Sequence, residues 1–326
     1  MHNKKLSFKG LLQVLKESFS AFGEDKVTKL SGSLAYSTVF SLGPLLIVII
    51  SLCGIFLGRE AVQGEIYAQL KNFVGGDTAD QLQGIIKNAS ISGHSKMAAI
   101  IGGGALLVGA TAIFSEIQDS INTIWGIKPK PKKGWVKFLK NRFLSFSLIV
   151  GLGFLLLVSL SINTLIDGFN AKMQLWFPHI SIAVFYIINL VMTAAIITSI
   201  FAVIFKVLPD ADIMWRDVAA GAFTTAILFM LGKMGISYYI SKSNVGSTFG
   251  AAGSLVVLLV WVYYSSIILY FGAEFTKAYS IKYSLPIRPN EYAVSTKTVE
   301  IETGKATIQE NDKKIKEVKK VTEVKI

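Results

Sequence analysis

A chain of 326 residues that is 52% hydrophobic and only 17% charged, with a mean hydropathy of +0.53, has too little charge to cover the surface of a water-soluble domain. Its formal net charge of +12 would suit a nucleic-acid binder, but the basic residues sit in short segments between apolar runs, which argues for a membrane topology signal instead. One cysteine, Cys53, and three scattered histidines, His2, His94 and His179, leave no disulfide framework, CxxC knuckle or zinc-hydrolase ligand cluster, so neither a metal nor a cofactor is expected.

Residues 1–30 carry Phe8, Leu11, Leu12, Leu15, Phe19 and Phe22 at helical spacing, with Lys9, Lys16 and Glu17 on other faces. This pattern predicts an amphipathic helix, either lying on the membrane surface or packed beneath the spanning helices, and ended by Gly23-Glu24-Asp25. Residues 31–282 then hold six apolar stretches: Leu34–Leu57, Met97–Ile124, Phe143–Ile166, Ile180–Leu208, Val218–Ile240 and Phe249–Ala273, the shortest of 23 residues. About 20 helical residues cross the ~30 Å hydrocarbon core. Lipid offers the backbone no hydrogen-bond partner, and the period-2 alternation of barrel strands is absent, so each stretch is read as a helix. The fold class is an all-α integral membrane protein, a six-transmembrane-helix bundle. The first run begins too deep in the chain, and lacks the small-residue site, for a cleavable signal peptide.

Of the 33 lysines and arginines, 26 fall before the first span, in the second-to-third and fourth-to-fifth loops and after the sixth span, against six in the alternate loops. Positive charge is retained on the cytoplasmic side, which places both termini there and the long loop 58–96 outside. In that loop Val62, Ile66, Leu70 and Phe73, then Leu82, Ile85 and Ile86, predict two short amphipathic helices, suited to a cap, gate or docking surface. The loop from Trp125 to Arg142 contains Lys128-Pro-Lys-Pro-Lys-Lys133. It is either a binding strip for anionic lipid headgroups, at ~1 kcal/mol per basic residue, or an ordinary stop-transfer loop. Trp125 and Trp135 flank it as interfacial tryptophans. Residues 283–326 turn polar and are expected to be a disordered tail or frayed helix. Ala105-x-x-x-Gly109 and Gly246-x-x-x-Gly250-x-x-x-Ser254 mark faces where helices approach closely, and oligomeric state is left open, a homo-oligomer included.

Ionisable residues in spans each require a partner, water or a function, since insertion costs roughly 2.5–3.5 kcal/mol. Lys233 lies about 12 Å inside the outer boundary of the fifth span, which suits either snorkelling or a wet cavity, with Asn163 and Asn189 as neighbours in the outer halves of their spans. Glu116, Asp119 and Asn122 share one face near the cytoplasmic end of the second span, and are expected to face the bundle, a vestibule or the interface. Glu274, at the inner end of the sixth span, is placed to pair with Lys277 or Lys206, and Tyr36 adds a hydroxyl in the cytoplasmic half of the first span beside Pro44.

With these residues in view, the chain resembles the YihY / virulence factor BrkB family of bacterial inner-membrane proteins over roughly residues 10–282. Ser33-Leu-Ala-Tyr-Ser-Thr-Val-Phe-Ser-Leu-Gly-Pro-Leu45 is similar to the family's LAYY…FSL-P-L pattern, and Ile121-Asn-Thr-Ile-Trp125 to its N-x-I-W signature. Leu208-Pro209, Trp215-Arg-Asp217, Gly221, Lys233 with Tyr239, Phe249-Gly-Ala251, Trp261 and Gly272-Ala-Glu274 follow in the family's order. Glu116 and Asp119 depart from the pattern, and Ser37 replaces a usual aromatic. The resemblance implies an inner-membrane location and an envelope role. The family has carried a ribonuclease label that these residues do not support, and no P-loop, GxSxG or HExxH motif suggests another enzyme. The leading reading is a transporter or exporter of an ion, small solute or lipid. The alternative is a non-transporting scaffold that organises envelope or lipid-handling partners.

Overall fold

The computed structural model describes residues 7–57, 96–130, 181–242, 253–284 and 286–296, with isolated positions between 60 and 84 and Ser147. The described elements run α1 (Phe8–Glu24), α2 (Val27–Leu57), α3 (Lys96–Ile124), β1 (Ile127–Pro129), α4 (Ser181–Val207), β2 (Ala211–Asp212), α5 (Trp215–Lys242), α6 (Gly253–Tyr283), β3 (Arg288–Pro289) and β4 (Ala293–Ser295). Among the described residues four helices are long and apolar enough to cross a membrane, at Val27–Ile50, Leu190–Val207, Trp215–Ile236 and Leu255–Tyr283. α3 occupies the second expected span, and the third lies outside the described residues apart from Ser147.

α2 packs on α3 and α6, α5 on α4 and α6, and α1 on α6. One core of Ile117, Ile121, Phe205, Leu208, Val218, Ala222, Tyr270 and Ala273 joins α3, the end of α4, α5 and α6. Small residues set the closest crossings. Gly109 of α3 faces the Pro44 ring of α2, where an added Cβ would lie 2.9 Å from Pro44 Cγ. Between the antiparallel α5 and α6, Gly221 lies against Thr276 and Gly272 against Thr225. Each threonine hydroxyl donates to the carbonyl of the glycine one turn earlier in its own helix, at 2.7 Å, so no hydroxyl is stranded in the contact.

Three boundaries differ from expectation, the first being the start of α2 at Val27 rather than Leu34. α6 does not end at Ala273 but continues to Tyr283, because Phe275, Tyr279 and Tyr283 make an apolar face that packs with Val14 of α1. The segment after α6 is ordered through residue 296. β1 pairs with β4 and β2 with β3, both antiparallel, so this segment reaches back over two loops. Residues 297–326 lie outside the described residues. α1 is started by Ser7, whose hydroxyl accepts from Gly10 N, and closed by Asp25. Its buried face is Gly10, Val14 and Ser18, while Phe8 and Phe19 are 78% and 67% exposed, so it both packs under α6 and presents an outward apolar stripe.

In the segment 58–96 the described positions include Ile66, which packs on Leu46 and Ile50, and Tyr67, which donates to Asp80 at 2.8 Å. That carboxylate raises the Tyr67 phenol above its ordinary value. Of the two tryptophans flanking the Trp125–Arg142 loop, Trp135 lies outside the described residues and Trp125 packs into the protein. It is buried, and its Nε1 donates to the Ala273 carbonyl at 3.0 Å, because the turn after α3 folds inward against α6.

Candidate functional site

At one end of the bundle the α1–α2 corner, the end of α3, the α4–α5 connection and the two small strand pairs come together. Lys26, in a left-handed conformation (φ 52°), turns the corner and leaves Asp25 beside α6. Gly272 and Thr276 of α6 face α5, whereas Tyr270, Glu274 and Lys277 follow one another at helical spacing on another face. The Lys277 ammonium donates to Asp25 Oδ2 at 3.2 Å and to the Ile124 carbonyl, and lies 3.7 Å from Glu274 Oε2. Glu274 is 1% exposed, and neither of its carboxylate oxygens takes part in a hydrogen bond. One turn earlier the buried Tyr270 hydroxyl has Ser120 as its polar neighbour and lies within the field of Glu116 and Asp119 of α3. The result is a narrow polar column, Asp25–Glu274–Tyr270–Ser120, running from the corner into the apolar core.

Two further buried carboxylates have hydrogen-bond partners. Asp210 Oδ2 accepts from Asn122 Nδ2 at 3.0 Å while its own N–H donates to Asn122 Oδ1 at 2.8 Å, and Asn290 N donates to the Asp210 carbonyl at 3.0 Å. Asp217, in the first turn of α5, accepts from Ser280 at 3.1 Å, where the helix N-terminus also favours negative charge.

Lys233 is half-buried. It shares the face of Ala222, Ala226, Phe229 and Ile236, which pack inward, while Phe223, Ile227, Leu231, Met234 and Tyr238 form the exposed stripe of α5.

The structure therefore pairs Glu274 with Lys277, and leaves Glu116 half-buried and Asp119 exposed on α3, within the field of Tyr270. Lys206 instead donates to the Ile213 carbonyl and lies over the Trp215 ring. Asn122 is fully engaged by Asp210. Tyr36 is 66% exposed and its ring meets Phe40 at 4.9 Å. Asn163 lies outside the described residues, and of Asn189 only the backbone is described. Of the Lys128–Arg142 strip, Lys128 and Lys130 are described, the latter's N–H donating to the Tyr292 carbonyl. Asp25, Tyr270 and Asp210 were not candidates. A polar residue at a predicted helix end was the sole hint for Asp25, and Tyr270 gave none. Among the described residues no group of three His, Cys, Asp or Glu is placed to hold a metal ion.

The family model for virulence factor BrkB matches residues 18–294, so the chain belongs to that family. Similar proteins named UPF0761 membrane protein occur in Pseudoalteromonas atlantica (29% identical, covering 77% of this chain and 81% of that protein). Others occur in Aliivibrio salmonicida (30%, covering 77% and 78%) and Vibrio parahaemolyticus (28%, covering 85% and 88%). No solved structure matches. The chain is a membrane protein of this family.

Proposed function

We propose that this protein is a polytopic transporter or exporter of a small ion, solute or lipid in the bacterial inner membrane, with six spans, both termini cytoplasmic and segment 58–96 outside. It is not an enzyme in this reading. The observation that carries it is the placement of Lys233 on the inward face of α5, opposite the exposed apolar stripe. A lysine on the inward face of a helix bundle, at an insertion cost of roughly 2.5–3.5 kcal/mol, brings a positive charge to where an anionic group of the cargo or water would pass. Glu274 and Tyr270 would line the opposite half of the same route, and the 26-to-six split of basic residues supports the orientation.

The test uses a Cys53→Ser background. A cysteine at position 233, and one near position 80, should react with a membrane-impermeant thiol reagent added from outside. Lys233→Met should insert and fold normally yet fail to complement a deletion strain. A well-folded Lys233→Met protein with full complementation removes Lys233 from the mechanism and favours a scaffold. Labelling near position 80 only after the cytoplasmic face is opened reverses the orientation.

A further inference from the structure

Glu274 is a buried carboxyl group whose surroundings are half-built for a charge. Its side chain is shielded from solvent, neither oxygen is hydrogen-bonded, and the nearest cation, the Lys277 ammonium, stands 3.7 Å away. Lys277 directs two of its three donors elsewhere, to Asp25 Oδ2 and to the Ile124 carbonyl. Two carboxyl groups thus share one ammonium, and if both were ionised one negative charge would be left beside the other. α5 brings no charge to relieve it, since it meets this part of α6 with Gly221 and Thr225, and its Asp217 is committed to Ser280 farther along. α3 contributes the Ile124 carbonyl here and, one turn on, the acidic Glu116 and Asp119 around Tyr270. A metal cation is disfavoured because an ammonium already occupies the approach, and an anion because the cluster is acidic.

We propose that Glu274 is a proton-binding site, exchanging with water through the half-exposed Asp25 and coupled through Lys277 to the α1–α2 corner. Hydronium gives its proton to the carboxylate and leaves as water; no other bond changes. With Glu274 neutral, Lys277 holds Asp25 and the end of α3 as the structure shows. When the proton leaves, the new charge draws the ammonium across the 3.7 Å gap and loosens its bond to Asp25, freeing the corner. This deepens the transport reading by naming the proton as the ion of the Glu274 half of the route, but its test requires no flux.

Infrared difference spectra of the full chain in lipid nanodiscs, recorded as pH is cycled, should contain a protonated-carboxyl band that rises and falls reversibly. The band should be missing in Glu274→Gln, an isostere of the neutral acid whose folding is checked by circular dichroism. Asp25→Asn, which leaves the whole ammonium to Glu274, should shift the band's disappearance to lower pH and slow its hydrogen–deuterium exchange several-fold. A band unchanged in folded Glu274→Gln, or one that never responds to pH, overturns the proton site. Unchanged exchange in Asp25→Asn overturns the entry route. Either result leaves the outcome of the Lys233 experiment standing, and a failed Lys233 experiment leaves the band untouched.

Discussion

Asn122→Ala separates a structural tie from a pathway residue. In the structure both polar ends of Asn122 are occupied by Asp210, at 3.0 and 2.8 Å, and the two residues are 2% and 6% exposed, so water cannot take over the lost bonds. A hydrogen bond to a charged group is worth about 1.5–3 kcal/mol and a neutral one about 1 kcal/mol. The carboxylate keeps a 3.4 Å contact from Asn290 Nδ2, which limits the damage, so the expected loss is about 3 kcal/mol. At 2–4 °C per kcal/mol for a chain of this size class, the thermal midpoint should fall by roughly 6–12 °C. The assay is thermal unfolding of purified protein in detergent, followed by tryptophan fluorescence and by size-exclusion recovery. The double variant with Asp210→Ala should recover at least ~1 kcal/mol relative to additivity, because the two residues act as one unit. If Asn122 instead lined a conduction path, Asn122→Ala would unfold within roughly 2 °C of the parent, under about 1 kcal/mol, and lose only function. That outcome would refute the tie.

Two further expectations follow from the packing and from the residue inventory. Gly221→Ala should cost about 1–3 kcal/mol, because the new Cβ would overlap Thr276 Oγ1 and lie 2.8 Å from Thr276 Cβ across the tight α5–α6 crossing, whereas Gly23→Ala, with nothing within 4 Å, should be neutral or stabilising; unfolding midpoints compare the two. Purified protein freed of contaminating nuclease should hold no stoichiometric zinc and should not cleave RNA, and metal analysis finding one zinc per chain with chelator-sensitive cleavage would defeat that reading.

The spans were legible because hydropathy and length are local properties. α3, α4 and α5 begin and end within three residues of the apolar stretches that predicted them. Where the prediction erred, a partner distant in sequence had changed the meaning of a local pattern. α6 runs past Ala273 because the polar-looking stretch after it is amphipathic toward α1, and neither segment reveals that alone. The strand pairs were invisible for the same reason. Strands of two and three residues carry no periodicity, and each is defined by a mate some 80 or 170 positions away. α1 packs on α6 by Gly10, Val14 and Ser18, residues too small to stand out, and by Phe22, whose ring meets Phe271, while Phe8 is turned outward.

The site was legible only as a set of questions. In the sequence Asn122 and Glu274 look alike, each a polar residue near the cytoplasmic end of a span. What distinguishes them is what stands opposite. Asn122 meets an aspartate with matching donor and acceptor, so its polarity is spent on holding the α4–α5 connection. Glu274 meets a lysine that is already engaged by a residue 252 positions away, so its polarity is left over. A leftover buried carboxylate has no structural role to justify its cost, and natural cores keep such groups where function needs them. For Lys233 the position on the inward face of α5 could not be read from depth in the membrane, since depth alone is equally consistent with snorkelling. The residue most worth mutating for function at this end of the bundle is therefore Glu274, the buried carboxyl group with neither oxygen engaged by a close donor, rather than Asn122, whose bonds to Asp210 are made.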